Sequence, residues 1–200
     1  MDLNRLFAQT LNANYVQLEE SAASYAAKRV GKTLYLFFEK SNGLVDWKNN
    51  LDFPAKPYHE MQDLWFVHRG FLRVFQSVKP RIKTLLAEGG IGRIIISGYS
   101  HGAALALLCH EFCVFNRPDL AENIYGFGFG CPRVVWGRLN RRIRARFRNF
   151  MVVRNCSDLV THVPPLIFGY RHVGRVLHIG RGGGYGPIDS HRAESYLAEI

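Results

Sequence analysis

Residues 93–108 read Arg93-Ile94-Ile95-Ile96-Ser97-Gly98-Tyr99-Ser100-His101-Gly102-Ala103-Ala104-Leu105-Ala106-Leu107-Leu108. A β-branched apolar run, a five-residue G-x-S-x-G turn and an alanine- and leucine-rich helix follow one another without a gap. In so tight a turn, bulk two residues before or after the serine would collide with the backbone, and Gly98 and Gly102 remove that bulk. Ala103 lets the helix start close to the strand it leaves. A serine at this junction projects its hydroxyl clear of the main chain, as a nucleophile elbow requires.

Outward from the elbow, strand and helix patterns alternate, as in a parallel sheet covered on both faces. Thr33-Leu34-Tyr35-Leu36-Phe37-Phe38 is too uniformly apolar for a strand with one wet face and is expected at the sheet's centre. Further strands are expected over residues 124–129, 150–154 and 175–179. The glycines of Tyr125-Gly126-Phe127-Gly128 lack the G-x-G-x-x-G spacing and the later acid of a dinucleotide site. Residues 3–29 carry apolar positions three and four apart, which predicts one helix, or two broken near Asn12–Asn14, stopping at Gly31. A second helix is predicted over 71–86, with Pro80 marking a kink or break. Residues 180–186 read as a loop and 190–200 as a closing helix. The expectation is one α/β domain over 1–200, a three-layer αβα arrangement with a mostly parallel central sheet.

The 200 residues are 48% hydrophobic and 21% charged, the balance of a folded chain rather than a disordered one. Met1-Asp2-Leu3-Asn4-Arg5 shows no basic region leading into an apolar core, so the expected location is cytoplasmic. Cys109, Cys113, Cys131 and Cys156 form neither a disulfide framework nor a metal-ligand spacing, and no metal or other cofactor is expected. The formal charge is +10, and much of it is local: Arg138, Arg141, Arg142, Arg144, Arg146 and Arg148 crowd one stretch that contains no acid. Leu139, Ile143 and Phe147 recur every four residues through it, giving a basic amphipathic helix. Its plain role is a core-docked helix with a solvated arginine face. Its functional role would be contact of Arg141, Arg142 and Arg144 with an anionic membrane surface. No aromatic-interleaved basic motif or zinc knuckle accompanies the charge, so nucleic acid is not an expected partner.

A serine hydroxyl attacks only when a base takes its proton, and the base needs a carboxylate to hold its tautomer. On a sheet with this elbow the partners lie on loops after later strands, acid before histidine. His59 and His68 precede Ser100, His101 adjoins it, and His110 lies farther along the same helix. His162, His172, His178 and His191 remain. Asp158 follows the strand at 150–154, where a loop carboxylate belongs. His162 is only four residues beyond Asp158 and His178 sits within a strand. His191 follows the glycine-rich loop and is free to reach the elbow. Asp119 stands at a helix end and Asp189 only two residues from His191, so both are poor orienting acids.

Several ordered blocks resemble the class 3 lipases. Phe38-Glu39-Lys40-Ser41 stands where that family has Phe-Arg-Gly-Thr/Ser, and Asp46-Trp47-Lys48-Asn49-Asn50-Leu51 is similar to D-W-x-x-[ND]-L. Val67-His68-Arg69-Gly70-Phe71, Gly130-Cys131-Pro132-Arg133-Val134 and Asn155 through Asp158 to Pro164-Pro165 resemble further family blocks. So do Gly169-Tyr170-Arg171-His172-Val173-Gly174, whose histidine is not catalytic in the family, and the terminal His191…Tyr196. The resemblance implies the α/β-hydrolase fold, with Ser100 as nucleophile, Asp158 as orienting acid and His191 as base. It also implies hydrolysis of lipid carboxylic esters without a cofactor. One oxyanion donor is expected to be the His101 backbone N–H, just after the nucleophile; the other, by family analogy, is Ser41. Leu44, Trp47 and Leu51 fall at helical spacing before Pro54 and Pro57, and the segment 41–57 reads as an amphipathic lid. Glu39 and Lys40 depart from the family's Arg-Gly, and Tyr99 and His101 from its usual neighbours of the serine. Two other readings use the same scaffold: a catalytically weak, basic membrane-binding relative, and an acyltransferase or thioesterase on the same triad.

Overall fold

A computed structural model describes residues 2–18, 23–39, 54–58, 65–155, 157–180 and 186–200. Asp2 caps helix α1 (Leu3–Leu11), its carboxylate accepting the Arg5 N–H at 3.1 Å. The helix stops at Asn12, so the helical expectation for 13–29 is corrected. The described part of that segment is extended, as β1 (Val16–Leu18) and β2 (Ala23–Val30). Gly31, at φ 58°, makes the tight turn that folds β2 back antiparallel onto β3 (Thr33–Phe38). A ladder running from Val30 opposite Thr33 to Tyr25 opposite Phe38 outweighs the local helical spacing.

An edge hairpin comes next, β4 (Ala55–Tyr58) against β5 (Trp65–His68), and leads directly into α2 (Arg69–Leu86). The expected break at Pro80 is absent: α2 is a single helix. Pro80 and Gln76, whose carbonyl loses its N–H partner, both lie on the exposed face, where water replaces the missing bond. Phe71, Val74, Phe75, Val78, Ile82 and Leu86 are buried on the other face. At about 1.5–3 kcal/mol each, they offset the roughly 3 kcal/mol of an interior proline.

Strand β6 (Arg93–Tyr99) enters α3 (His101–Asn116) through Ser100. From His101 to Cys113 every residue of α3 is buried, as befits a helix apolar all round. The chain continues through β7 (Ile124–Phe129), β8 (Val135–Trp136), α4 (Arg141–Arg146) and β9 (Phe150–Asn155). The basic amphipathic helix is thus shorter than its sequence pattern, but Leu139, Ile143 and Phe147 are buried and Arg138, Arg141, Arg142 and Arg144 exposed, as read. Finally come β10 (Tyr170–Arg171), β11 (Arg175–Ile179) and α5 (Ala193–Glu199).

Seven strands form the main sheet in the order β1-β2-β3-β6-β7-β9-β11. From β3 to β11 they are parallel, while β1 and β2 add an antiparallel edge. The pleat divides the core in two. Ile94 and Ile96 of β6 join the larger core with α2 and α3; Ile95 and Tyr99 join the smaller one with Phe7 of α1 and Tyr196 of α5. The glycines of β7 are packing devices: a Cβ on Gly126 would lie 2.3 Å from the Phe150 ring. This is an α/β-hydrolase-like fold, three layers deep. The register aligns Tyr99 with Phe129 and Phe129 with Val153, so the loops leaving β6, β7 and β9 emerge side by side.

Candidate active site

Ser100 occupies the sharp bend between β6 and α3 with φ 58° and ψ −123°, the one non-glycine residue among those described with positive φ. Such a conformation costs on the order of 1–3 kcal/mol and persists because its surroundings dictate it. Here the cause is crowding on both sides. A Cβ on Gly98 would fall 2.1 Å from the Gly102 carbonyl oxygen, and one on Gly102 2.3 Å from the carbonyl oxygens of Phe38 and Glu39. The bend is pinned to the neighbouring strand by the Ser100 N–H, which donates to the Phe129 carbonyl at 2.9 Å.

Two loops from later in the chain bring an acid and an imidazole to its hydroxyl. Asp158, fully buried, follows β9 and caps the short turn Leu159–His162, its Oδ1 accepting the Val160 N–H at 2.8 Å. Its Oδ2 lies 2.8 Å from His191 Nδ1, and His191 Nε2 lies 2.8 Å from Ser100 Oγ. His191 ends a single turn, Asp189–His191, just before α5, so the closing helix starts later than its sequence pattern suggested. An ionised carboxylate only accepts, so Nδ1 carries the proton and Nε2 is left to accept from the serine O–H. That is the arrangement a base needs before an acyl transfer.

The support around this relay was only partly legible. The Tyr196 O–H donates to Asp158 Oδ2 at 2.6 Å while its oxygen accepts the Asn155 N–H at 3.2 Å. Asn155 Nδ2 donates to the Ser190 carbonyl at 3.1 Å, which ties the histidine turn to the end of β9. Tyr99 stacks on the His191 ring, centroids 5.3 Å apart, and donates its O–H to the His191 carbonyl. Burial, then the Asp158 carboxylate, push both phenols well above the usual tyrosine range, so both remain donors. Gly130 floors the site at φ 57°, where a Cβ would meet His191 Cε1 at 2.9 Å. The buried Arg133 donates to the carbonyls of His162 and Pro164, at 3.0 Å for the latter, and so fastens the loop that carries Asp158. The period of β6 puts Tyr99 on the Ile95 face, a signal that could have located it; Gly130 and Arg133 stand in the block that resembles the family's, but nothing in the block tells what they touch.

The other histidines stand apart. His162 is engaged by the Asp158 carbonyl at 2.9 Å and by Arg154, and His178 lies on β11. His172 bonds the Thr161 carbonyl at 2.8 Å; burial and the Arg133 and Arg154 charges hold its pKa down to about 4. His101 is buried, its ring edge-on to Phe71 at 5.4 Å, and it opens α3 directly after Ser100. Cys109 and Cys113 are free and buried, their sulfurs 3.9 Å apart. Ser41, Leu44, Trp47 and Leu51 lie outside the described residues. Of the segment 41–57 only 54–57 is described, and residues 55–57 belong to β4.

Known proteins resemble the chain in sequence and in fold. The profile of the lipase (class 3) family matches residues 35–168. The lipase of Rhizomucor miehei is 26% identical over 149 residues, covering 72% of this chain and 40% of that protein. Phospholipase A1-II 1 of rice (Oryza sativa subsp. indica) is 28% identical over 183 residues, covering 77% and 46%. The chain therefore spans less than half the length of these curated relatives. Among solved structures, a fungal lipase–inhibitor complex described as a model for interfacial activation superposes with a TM-score of 0.72 at 25% identity, covering 83% of this chain and 65% of that one. Lipase II of Rhizopus niveus gives 0.69 at 25%, covering 86% and 66%. The cytoplasmic expectation is overturned by this company. One relative, from Fusarium solani (24% identical, covering 75% of this chain and 45% of that protein), is named a secreted mono- and diacylglycerol lipase, and the Rhizomucor miehei lipase is known in complex with its propeptide.

Proposed function

The chain belongs to the class 3 lipase family, and from that premise we propose that it is a serine hydrolase of lipid carboxylic esters. The observation that carries the reading is the continuous relay from Asp158 through His191 to Ser100, 2.8 Å at each step. Ser100 Oγ attacks the acyl carbonyl carbon as its proton passes to His191 Nε2, and the imidazolium is stabilised by Asp158. Collapse of the tetrahedral adduct breaks the ester bond; the departing alcohol takes the proton from Nε2. Water then attacks the acyl-enzyme, giving its proton to Nε2, and Ser100 recovers it as the fatty acid leaves. The His101 N–H and the backbone N–H of Ser41 are the proposed oxyanion donors, each worth about 2.7–4 kcal/mol of barrier.

The lipid assignment has support of its own. Leu166, Ile167 and Phe168 stand exposed on one turn beyond the acid loop, and Leu159 and Ile188 are exposed beside the relay. Apolar side chains exposed on the loops that carry the acid and the histidine, and on the turn that follows the acid loop, suit a lipid surface better than open water. The part of the segment 41–57 that precedes β4, with Leu44, Trp47 and Leu51, is the proposed lid over the acyl site. Acyl esters of glycerides and of phospholipids are both within the range of the relatives' names. The test is labelling with a fluorophosphonate, then turnover of p-nitrophenyl esters of rising chain length. Ser100→Ala should lose both label and turnover; label retained by the alanine variant would refute the assignment.

A further inference from the structure

At the far ends of the parallel strands, α4 and the segment 171–175 enclose an open cleft of about 730 Å3. Arg138, Arg144, Arg148, Arg171 and Arg175 line it. Arg175 opens β11 opposite Met151, whereas Ser100 and Asp158 follow the opposite ends of their strands. A strand's length, about 17–20 Å, therefore separates the Arg175 end of the cleft from the relay, while the wall formed by His172, bonded to the Thr161 carbonyl at 2.8 Å, runs back towards the acid loop. We propose that this cleft is a binding site for a small, multiply phosphorylated anion, distinct from and independent of the hydrolytic site.

Charge is the first argument. Arg148 pairs with Glu122, but Arg138, Arg144, Arg171 and Arg175 have no acidic partner among the described residues. Guanidinium groups gathered without counter-charge repel one another weakly through water, and an anion held between them turns that repulsion into attraction. Their fixed fork of N–H donors matches phosphate oxygens two at a time.

Rigidity is the second. Buried Leu139, Ile143 and Phe147 anchor the α4 side of the cleft, and the Asn140 side chain caps that helix by accepting the Ile143 N–H at 2.9 Å. On the other side Gly174, at φ 82°, lies so close to β9 that a Cβ would meet the Phe150 carbonyl oxygen at 2.4 Å. The arginines thus converge from two chain segments that cannot drift apart.

Size and lining choose the ligand. The volume exceeds what one phosphate fills and falls within the range of small-molecule sites, roughly 300–1,000 Å3. Among the described residues no Phe, Tyr or Trp lines the cleft to stack a base, the His172 ring there is tied to the Thr161 carbonyl at 2.8 Å, and buried Leu139 and Val173 supply apolar wall for a carbon frame. Arg141 and Arg142, which the sequence grouped with Arg144, are not part of the lining.

Inositol hexakisphosphate is the probe, titrated calorimetrically into the whole chain at about 0.15 M salt. Binding should be tight, and Arg144→Ala and Arg175→Ala should each weaken it at least about tenfold. The double variant Arg141→Ala/Arg142→Ala, which removes twice the charge of either single variant but from outside the cleft, should change it less than about twofold. Arg171→Lys, which keeps the charge but not the fork, should also weaken binding and guards against misfolding of the alanine variants. Vesicles bearing a phosphorylated inositol headgroup, compared with phosphatidylserine vesicles, separate a lipid-borne source from a soluble one. No binding at millimolar probe, equal losses in the two variant sets, or stronger binding of a single-stranded RNA than of the probe would overturn the proposal.

Discussion

The two ends of the parallel sheet treat charge in opposite ways. At the ends where β6 and β9 terminate, the Asp158 carboxylate receives three donors (the Val160 N–H, the Tyr196 O–H and His191 Nδ1–H) and is fully buried. At the other ends, guanidinium groups line an open cleft and most have no described acid to face. A buried charge must have every lone pair met, since leaving one unmet costs about 1–3 kcal/mol or more. Water-exposed cations tolerate one another because solvent screens them. The first end is therefore built to hold one geometry, and the second to wait for a partner.

The contrast can be broken most severely at the serine. Ser100→Ala should lower kcat on a soluble ester by about a million-fold, measured against the uncatalysed background. Asp158→Asn keeps the shape but reverses the tautomer of His191, and should cost about 10,000-fold in kcat with little change in KM. Tyr196→Phe leaves the buried Asp158 with one donor fewer, and should lower stability by about 1.5–3 kcal/mol in urea denaturation.

A pH experiment sharpens the same comparison. His110, buried under α4 with Nε2 against the Arg146 carbonyl at 3.2 Å, has its pKa lowered to about 4 by burial, and His172 likewise to about 4. Below the ordinary histidine value the unfolded chain binds protons that the folded chain refuses. Stability should therefore fall as pH drops from about 6.5 towards 4, by about 2 kcal/mol per histidine between pH 7 and 5. A urea midpoint unchanged over that interval would refute it. The smallest effect belongs to the cleft: in the absence of ligand, Arg144→Ala should raise the melting temperature by a degree or two at low salt, about 0.5 kcal/mol, and by nothing measurable at high salt.

The sequence made the elbow legible because sterics there leave few choices: glycine on each side of a serine, a β-branched strand before and a helix after. Chain order then singled out Asp158 and His191, since only loops after later strands can reach that hydroxyl. Residues 13–30 misled for a physical reason. The second half of β2, Ala27 to Val30, is solvent-exposed or nearly so, so the two-residue alternation that marks a strand is missing there. Pro80 misled because its cost depends on whether Gln76 faces water, which only packing decides. The block Gly130 to Val134 was legible as a resemblance, but what Gly130 and Arg133 touch, like the arginine cleft, depends on segments distant in the chain lying side by side, and no local pattern carries that.

The N-terminal helix reaches farther than its position suggests. Phe7 of α1 touches the rings of both Tyr99 and Tyr196, at 5.3 and 5.8 Å, and those two phenols steady the histidine and the carboxylate. Trimming the opening eleven residues for easier expression would remove Leu6 and Phe7 from the smaller core and loosen the grip on both residues of the proposed relay to Ser100. Where the chain is cut for production thus becomes a catalytic decision, even though the cut falls some ninety positions upstream of Ser100.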